Sequence, residues 1–484
     1  MLLTIGLEIH IKLKSANKMF CQCKNEQDFE HLEPNTNICP VCTGQPGALP
    51  TLSQEVLEKT LLLGKALQCK INETSTFDRK SYFYPDLPMG YQITQLYHPT
   101  NTEGKVHFFL NNYTDEKVVH IQDAHMECDT GKMIHTGGEA LLDFNRAGTP
   151  LVEIVTLPDF RSTEEVVEFL KELQRIVRFN DIADADLEKG QMRVDVNISV
   201  RNSESDPFGT RVEIKNINSF GMIKRAIEHE QARQEALYAA GKTFDQQTRG
   251  RDDTKGESYL MRSKEDALDY RYFPEPDLPQ LHLSKERLQQ LDNEKIIIPH
   301  NIIKQFSQNY GFNKEYINAL ISDKEILNYF NAILSSGAKS KDINNFAKLV
   351  AKWMSGPIAA RMNENFKTIN ELPFNQDTFI EFLTNAQGEK LIENQLKIIM
   401  NDMLSTGKNP DEIIKEKGFD APAIDSNEIE LLAKQTLEEN LAIAEQYKGG
   451  KTTTIGFFIG QLMKKTGGKT SPKIAQEIFE KLLK

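Results

Sequence analysis

The sequence predicts an α+β protein: a mixed, β-rich region comes first, and an all-helical domain and a small helical tail follow. Three observations carry this. Strand-like alternation recurs through about residue 290, it disappears from about Pro299, and amphipathic segments then succeed one another at helical spacing. The chain has 484 residues, 39% hydrophobic and 26% charged, which is a globular composition with room for two to four domains.

The elements follow in order. Leu3–Ile11, Lys105–Leu110 and Met192–Val200 alternate as half-buried strands do. Thr163 to Arg178 reads as a helix, because Val166, Phe169, Leu170, Leu173 and Val177 share one face and Ser162 or Thr163 can cap it. A second helix is expected from Ser219 to Ala240, stopping at Gly241. The loops 82–91 and 269–279 are dense in Pro, Gly, Tyr and Asp, the content of loops that carry function. Helical segments are expected at 313–336, 341–354, 376–386 and 391–406, the last ended by Gly407. Residues 408–484 read as four short helices with turns at Gly449-Gly450 and Gly467-Gly468.

Lys and Arg number 58 against 70 Asp and Glu, a net charge of −12, which excludes a surface uniformly basic for nonspecific nucleic-acid binding. From Tyr447 onward, however, eight Lys face two Glu, a local +6 that suits either a polyanion contact or a merely solvated helix surface. No apolar run approaches the roughly 18 residues of a membrane span, and the start of the chain lacks a signal or transit pattern. A reducing, cytoplasmic setting is expected. Four of the six cysteines fall together as Cys21, Cys23, Cys39 and Cys42. Two close thiol pairs of this kind suit a structural zinc knuckle, and ordinary buried thiols are the other reading. Cys69 reads as structural.

Strands also carry the chemistry. Glu8 and His10 are two apart and share a face. His125, Glu127 and Asp129 would do the same in an extended segment, and so would Arg193, Asp195 and Asn197. Glu153 lies in an apolar run from Leu151 to Val155. Burying such carboxylates is costly without a cation, so an oxygen-rich Mg²⁺ site of the type used with nucleotide phosphates is one reading. Ordinary solvent-face charge is the other. The tight segment Asp143–Pro150 presents Asn145 and Arg146, and Lys215 with Arg146 and Arg193 offers positive charge to phosphoryl oxygens. There is no P-loop motif, no dinucleotide-type glycine motif and no G-x-S-x-G elbow. Alone, the chain does not read as an amidase or a protease.

Ordered blocks along the chain carry a family resemblance. They are Gly6-Leu-Glu-Ile-His10, Cys39-Pro-Val-Cys42-Thr-Gly44-Gln-Pro-Gly47, and the run from Arg79-Lys80 through Pro88 to Gln92. Next come Asp143-Phe-Asn-Arg146-Ala-Gly148-Thr-Pro150 with Glu153, Met192-Arg-Val-Asp195-Val-Asn197, Val212-Glu-Ile-Lys215-Asn-Ile-Asn218, and Asp269 to Pro279. The sequence resembles the GatB/GatE family, the B subunits of the aspartyl/glutamyl-tRNA amidotransferases, over essentially its whole length. That resemblance implies a cradle domain over 1–295 with the zinc-knuckle insertion, a helical domain over 296–407, and a YqeY-like, tRNA-contacting tail over 408–484. It implies an ATP- and Mg²⁺-dependent ligase that phosphorylates the side-chain carboxylate of mischarged Glu-tRNA(Gln) or Asp-tRNA(Asn). Ammonia channelled from glutamine then amidates that carboxylate. A catalytically impaired tRNA-binding scaffold is the alternative. The implied partners are an amidase subunit and a small subunit in a heterotrimer, with no membrane involved. Implied metal ligands are Glu8, His10, Glu153 and Asp195, with Glu127 and Cys128 contributing. Glu8, His10, Glu153, Asp195, Arg146 and Lys215 are the implied catalytic set, and Arg193, Asn145 and Asn197 the implied cofactor contacts. Two departures stand in the metal block: Asp123 where the family usually has Arg, and Cys128 where a second Glu is usual.

Overall fold

The structure is a computed structural model that describes residues 1–252, 257–263, 269–337, 342–365, 368–388, 390–420, 426–449, 451–466, 470 and 472–483. It has the expected α+β character and divides into two compact units, Met1–Gln308 and Asn309–Lys484.

The first unit is organised by a nine-stranded sheet. From edge to edge its strands are Glu257–Ser263, Gln247–Asp252, Val212–Ile217, Met192–Arg201, Leu2–Lys12, Pro150–Thr156, Asp115–Cys128, Asn101–Leu110 and Lys70–Ile71. All neighbours are antiparallel except Val212–Ile217 beside Gln247–Asp252. Alternation gives the sheet two unlike faces. One face carries Leu7, Ile9, Ile11, Val152, Ile154, Val194 and Val196, all buried in the main core. Helix Thr163–Phe179 packs there, Phe169 lying edge-on to Phe108 and Phe160 at ring distances of 5.9 and 5.0 Å. Ser162 is its cap and accepts from the Glu165 N–H. The second expected helix runs Phe220–Ala239 under the cap of Ser219. The other face carries the polar residues.

The cysteine segment sits at the end of this sheet. Gly148 permits that approach: at φ +81° it adopts a conformation that favours glycine, and a Cβ there would lie 3.1 Å from Cys42 Cβ. The loops 82–91 and 269–279 come together through strand Phe273–Pro274 paired with Asp78–Ser81. Arg79 locks them with a two-pronged bond to Glu275 at 2.8 and 2.9 Å.

The second unit is helical. The segment expected at 313–336 is two helices, Lys314–Leu320 and Lys324–Ser336, because the Asp323 carboxylate accepts from Glu325 N–H and starts a new one. Helices Ile343–Trp353, Gln376–Gln387 and Glu393–Thr406 follow, the last ended by Gly407 at φ +72°. Beyond it the described residues hold five helices where four are expected. Four of them share an apolar cluster built on Ile429, Phe458, Leu462 and Phe479. Residue 341, Gly450 and the Gly467-Gly468 turn lie outside the described residues, as do Lys469 and Lys484 of the basic tail.

Candidate active site

Strand register assembles the polar face. His10 lies opposite Glu153 on one side and Arg193 on the other, Glu8 lies opposite Asp195, and Glu153 lies opposite His125. Residues directly opposite in antiparallel strands project to the same face, so four separate sequence segments converge. They form two neighbouring groups, His10 with Glu127 and Glu153, and Glu8 with Asp195 and Glu213, the ligand-type atoms of each within 4.8 Å of one another.

In the first group His10 Nε2 lies 3.4 Å from Glu153 and 3.8 Å from Glu127. His125 Nε2 also approaches Glu153 at 3.4 Å, while its Nδ1 lies 2.7 Å from Asp123. Burial opposes charge on all three of His10, His125 and Glu153, yet their mutual attraction outweighs it. Glu153 is held well below the usual carboxylate range by the two imidazoles. His10 is raised by Glu153 and Glu127, and His125 is raised to about 10 by Asp123 and Glu153. Glu127 is further held by Lys80 at 3.3 Å and by the Gln92 amide at 3.0 Å.

In the second group Lys215 Nζ lies 2.8 Å from Asp195 and 2.9 Å from Glu213, and Asn197 donates to Glu8 at 2.9 Å. Glu8 is raised by burial and then by Glu153 and Glu213, as expected for carboxylates crowded without enough cation. An all-oxygen group of this kind fits a hard divalent cation such as Mg²⁺. The Lys215 ammonium already occupies the position of a positive charge between two of its members.

A cleft of about 320 Å³ opens beside the two groups, lined by His10 and Glu127 of the first, Asp195 of the second, and Lys80, Tyr82, Arg193 and Lys215 among others. Arg193 is aimed by Asp129 at 3.0 Å, and Asp129 is held low, against its burial, by Arg193 and Arg146.

Not every expected residue is there. Cys128 is corrected outright: it faces the core, 2% exposed, with Sγ 3.8 Å from Met19 Sδ. Neighbouring strand residues point to opposite faces, so Glu127 takes the cleft and Cys128 cannot. Asn145 also lies elsewhere, fully buried, accepting from Asn37 N–H and donating to Glu33 O, where it ties down the cysteine segment. Arg146 spends its donors on Thr130 O and Gly131 O and braces Asp129 from behind. Glu8, His10, Glu127, Glu153, Asp195, Arg193, Asn197 and Lys215 do converge. Sequence reasoning assigns no role to Lys80, Tyr82, Gln92 or Glu213. Lys80 and Gln92 face each other across paired strands Asp78–Ser81 and Tyr91–Thr94, but the nine residues between those strands hide that register.

The four cysteine sulfurs also lie within 4.8 Å of one another. Zn–S bonds of about 2.3 Å require sulfurs roughly 3.8 Å apart, so the group fits tetrahedral zinc. Cys39 N–H donates to Cys42 Sγ, and hydrogen bonding from Cys21 together with the nearby Lys18 lowers the Cys42 thiol to about 5.

A sheet face that gathers carboxylates, imidazoles and cations beside a cleft has the make-up of an enzyme active site. The family model described as the GatB/GatE catalytic domain matches residues 3–289, and the GatB domain model matches 328–483. The chain therefore belongs to the GatB family of the tRNA-dependent amidotransferases, components of a glutamine-hydrolysing ligase that serves protein synthesis. Its relatives include the B subunit of the aspartyl/glutamyl-tRNA(Asn/Gln) amidotransferase of Crocosphaera subtropica, 40% identical over 99% of this chain and 97% of the relative. The B subunit of the chloroplastic/mitochondrial glutamyl-tRNA(Gln) amidotransferase of Ostreococcus lucimarinus is 40% identical over 98% and 95%. The corresponding aspartyl/glutamyl-tRNA(Asn/Gln) amidotransferase chain of Thermotoga petrophila is 39% identical over 99% and 98%. Among the described residues no helix is long and apolar enough to cross a membrane.

Proposed function

We propose that this chain is the ATP-dependent kinase and transamidase subunit of the complex. Its substrates are Glu or Asp mischarged on the tRNA for glutamine or asparagine, the pair that its relatives' names carry. A side-chain carboxylate oxygen attacks the γ-phosphorus of ATP and ADP leaves. Ammonia then attacks the acyl carbon and phosphate leaves with that oxygen. The observation that supports this most is one cleft lined by three cations, Lys80, Arg193 and Lys215, and by Glu127 and Asp195, one carboxylate from each of the two neighbouring groups. The cations, each held by a carboxylate, line the wall where phosphoryl oxygens must sit. His10 and His125 fix Glu153 in its ionised form, and Asn197 orients Glu8. Mg²⁺, held by Glu8, Asp195 and Glu213 with His10, Glu127 and Glu153 beside it, would neutralise the transferring phosphoryl charge. Zinc at Cys21, Cys23, Cys39 and Cys42 would be structural. Within this reading the catalytic part ends near 295, a helical part runs to 407, and the tail 408–484 touches tRNA. An amidase subunit and a small subunit complete the assembly in the cytoplasm.

The test is phosphate release from ATP by the assembled complex, with and without Glu-tRNA(Gln). We expect Mg²⁺-dependent stimulation that falls at least about 100-fold in Glu153→Gln, in keeping with the loss of a positioned charged group. Tight tRNA binding without stimulated hydrolysis would instead make the chain a scaffold.

A further inference from the structure

We propose that Phe83 and Arg271 form a stacking site for a purine base at the lip of the cleft. The proposal rests on the reading above and adds where a nucleotide base lies.

Phe83 is 86% exposed, while phenylalanine is among the residues most often fully buried. It directly follows Tyr82, which lines the cleft and donates its hydroxyl to Gln92 Oε1 at 2.6 Å. The bare ring therefore stands one residue from the cavity wall, about 3.8 Å along the backbone. Arg271 reaches it from the other loop, its guanidinium carbon 5.8 Å from the Phe83 ring centroid. That residue sits at φ +44°, a left-handed conformation that a side chain bearing a Cβ adopts at a cost. The surroundings hold it there. Arg271 N–H donates to Asp269 Oδ1 at 3.0 Å, and Ser81 N–H donates to Tyr270 O at 2.8 Å. Tyr82 packs edge-on to Tyr270 at 5.8 Å, Tyr270 meets Tyr272 at 6.0 Å, and Lys80 lies 5.4 Å over Tyr270.

The two loops are thus braced on each other through Tyr82 and Tyr270, and the Phe83 ring stands exposed. An exposed aromatic ring with a planar cation over it offers a nucleobase a stacking surface, whichever base it is. Lys80, Arg193 and Lys215 line the cleft that Tyr82 also lines, and provide for the phosphates or acyl group attached to that base. Two purines could supply the chemistry: the adenine of ATP and the terminal adenosine of an aminoacyl-tRNA.

The experiment uses the assembled complex and reads equilibrium binding, so that it stands apart from turnover. Dissociation constants are measured for ATP, for tRNA(Gln), and for the same tRNA lacking its terminal adenosine. Phe83→Ala should weaken one ligand about 5- to 100-fold, the range expected for one lost stacking contact. Phe83→Trp should restore it, and Arg271→Ala should lie between. Weakened ATP binding assigns the adenine of the nucleotide. Weakened binding of intact but not shortened tRNA assigns the terminal adenosine. Unchanged binding of all three ligands overturns the site. So does unchanged binding accompanied by loss of subunit assembly, which would make the ring a protein contact. If the variants show these binding effects while the wild-type complex shows no tRNA-stimulated ATP hydrolysis, the kinase reading fails and the stacking site stands.

Discussion

Glu153 and Glu172 are both buried carboxylates, on opposite sides of one sheet, and they ionise in opposite directions. Glu153 lies on the polar face between His10 and His125 and is held well below the usual range. Glu172 lies on the helix Thr163–Phe179 that packs against the other face. Burial pushes it up to about 6, although Arg175 stands 3.2 Å away. One of its oxygens has no hydrogen-bond partner. Burial is common to the two, and the number of cationic partners decides the outcome. The polar face is built to stay charged in a dry setting, while Glu172 sits among core residues at a cost. Glu127 and Cys128 repeat the lesson at the scale of one peptide bond. Adjacent on a strand, one enters the charged network and the other packs on Met19.

Changes on the core face should alter stability and spare chemistry. The largest effect is expected for Phe169→Ala, which removes a fully buried ring packed on Phe108 and Phe160. Denaturant unfolding should show a loss of about 3–5 kcal/mol, with tRNA-stimulated ATP hydrolysis per folded complex unchanged. A large loss of hydrolysis in still-folded protein would mean that the faces are not separable.

Glu172→Gln comes next and is read against pH. A carboxyl whose folded pKa is about 6 against an ordinary 4.5 adds its full stability below pH 4.5 and loses it as pH rises through 6. The Gln variant should therefore gain on the wild type across that window, by up to about 2 kcal/mol. A difference that runs the other way, with the wild type gaining as pH rises, would show that Arg175 outweighs burial there.

The smallest effect is expected for Cys128→Ala. It should cost about 1 kcal/mol for the small void it leaves and leave the Mg²⁺ dependence of hydrolysis untouched. A shift in the Mg²⁺ requirement would return Cys128 to the metal site and contradict its placement.

How much of this is legible in the sequence depends on how far apart the partners lie in the chain. The cysteine group is local, with all four thiols between 21 and 42, so spacing alone shows it. The helices are partly legible from period and caps: Thr163–Phe179 differs from its expected extent by one residue, while Gln54–Ala66 goes unread. The polar face is half legible. Alternation shows which residues share a face within one strand, so Glu8 with His10, and Asp195 with Asn197, can be grouped. It does not show that Glu8 lies opposite Asp195 or that His10 lies opposite Glu153, because register between distant strands is set by the whole sheet. For the same reason Asn145, a tether for the cysteine segment, cannot be told from a ligand contact. Cys128 departs from expectation because the family pattern reads as an unbroken row of ligands, where a strand allows only every second residue to face the cleft.

The central claim is that this polar face activates a carboxylate by moving a phosphoryl group onto it. The most direct measurement labels both side-chain carboxylate oxygens of Glu-tRNA(Gln) with ¹⁸O and follows the label during turnover by the assembled complex. Formation of an acyl phosphate transfers one labelled oxygen to each phosphate released. The expected result is inorganic phosphate carrying one ¹⁸O per amide formed, and none when Glu153→Gln blocks turnover. Unlabelled phosphate alongside normal amide formation would contradict the claim.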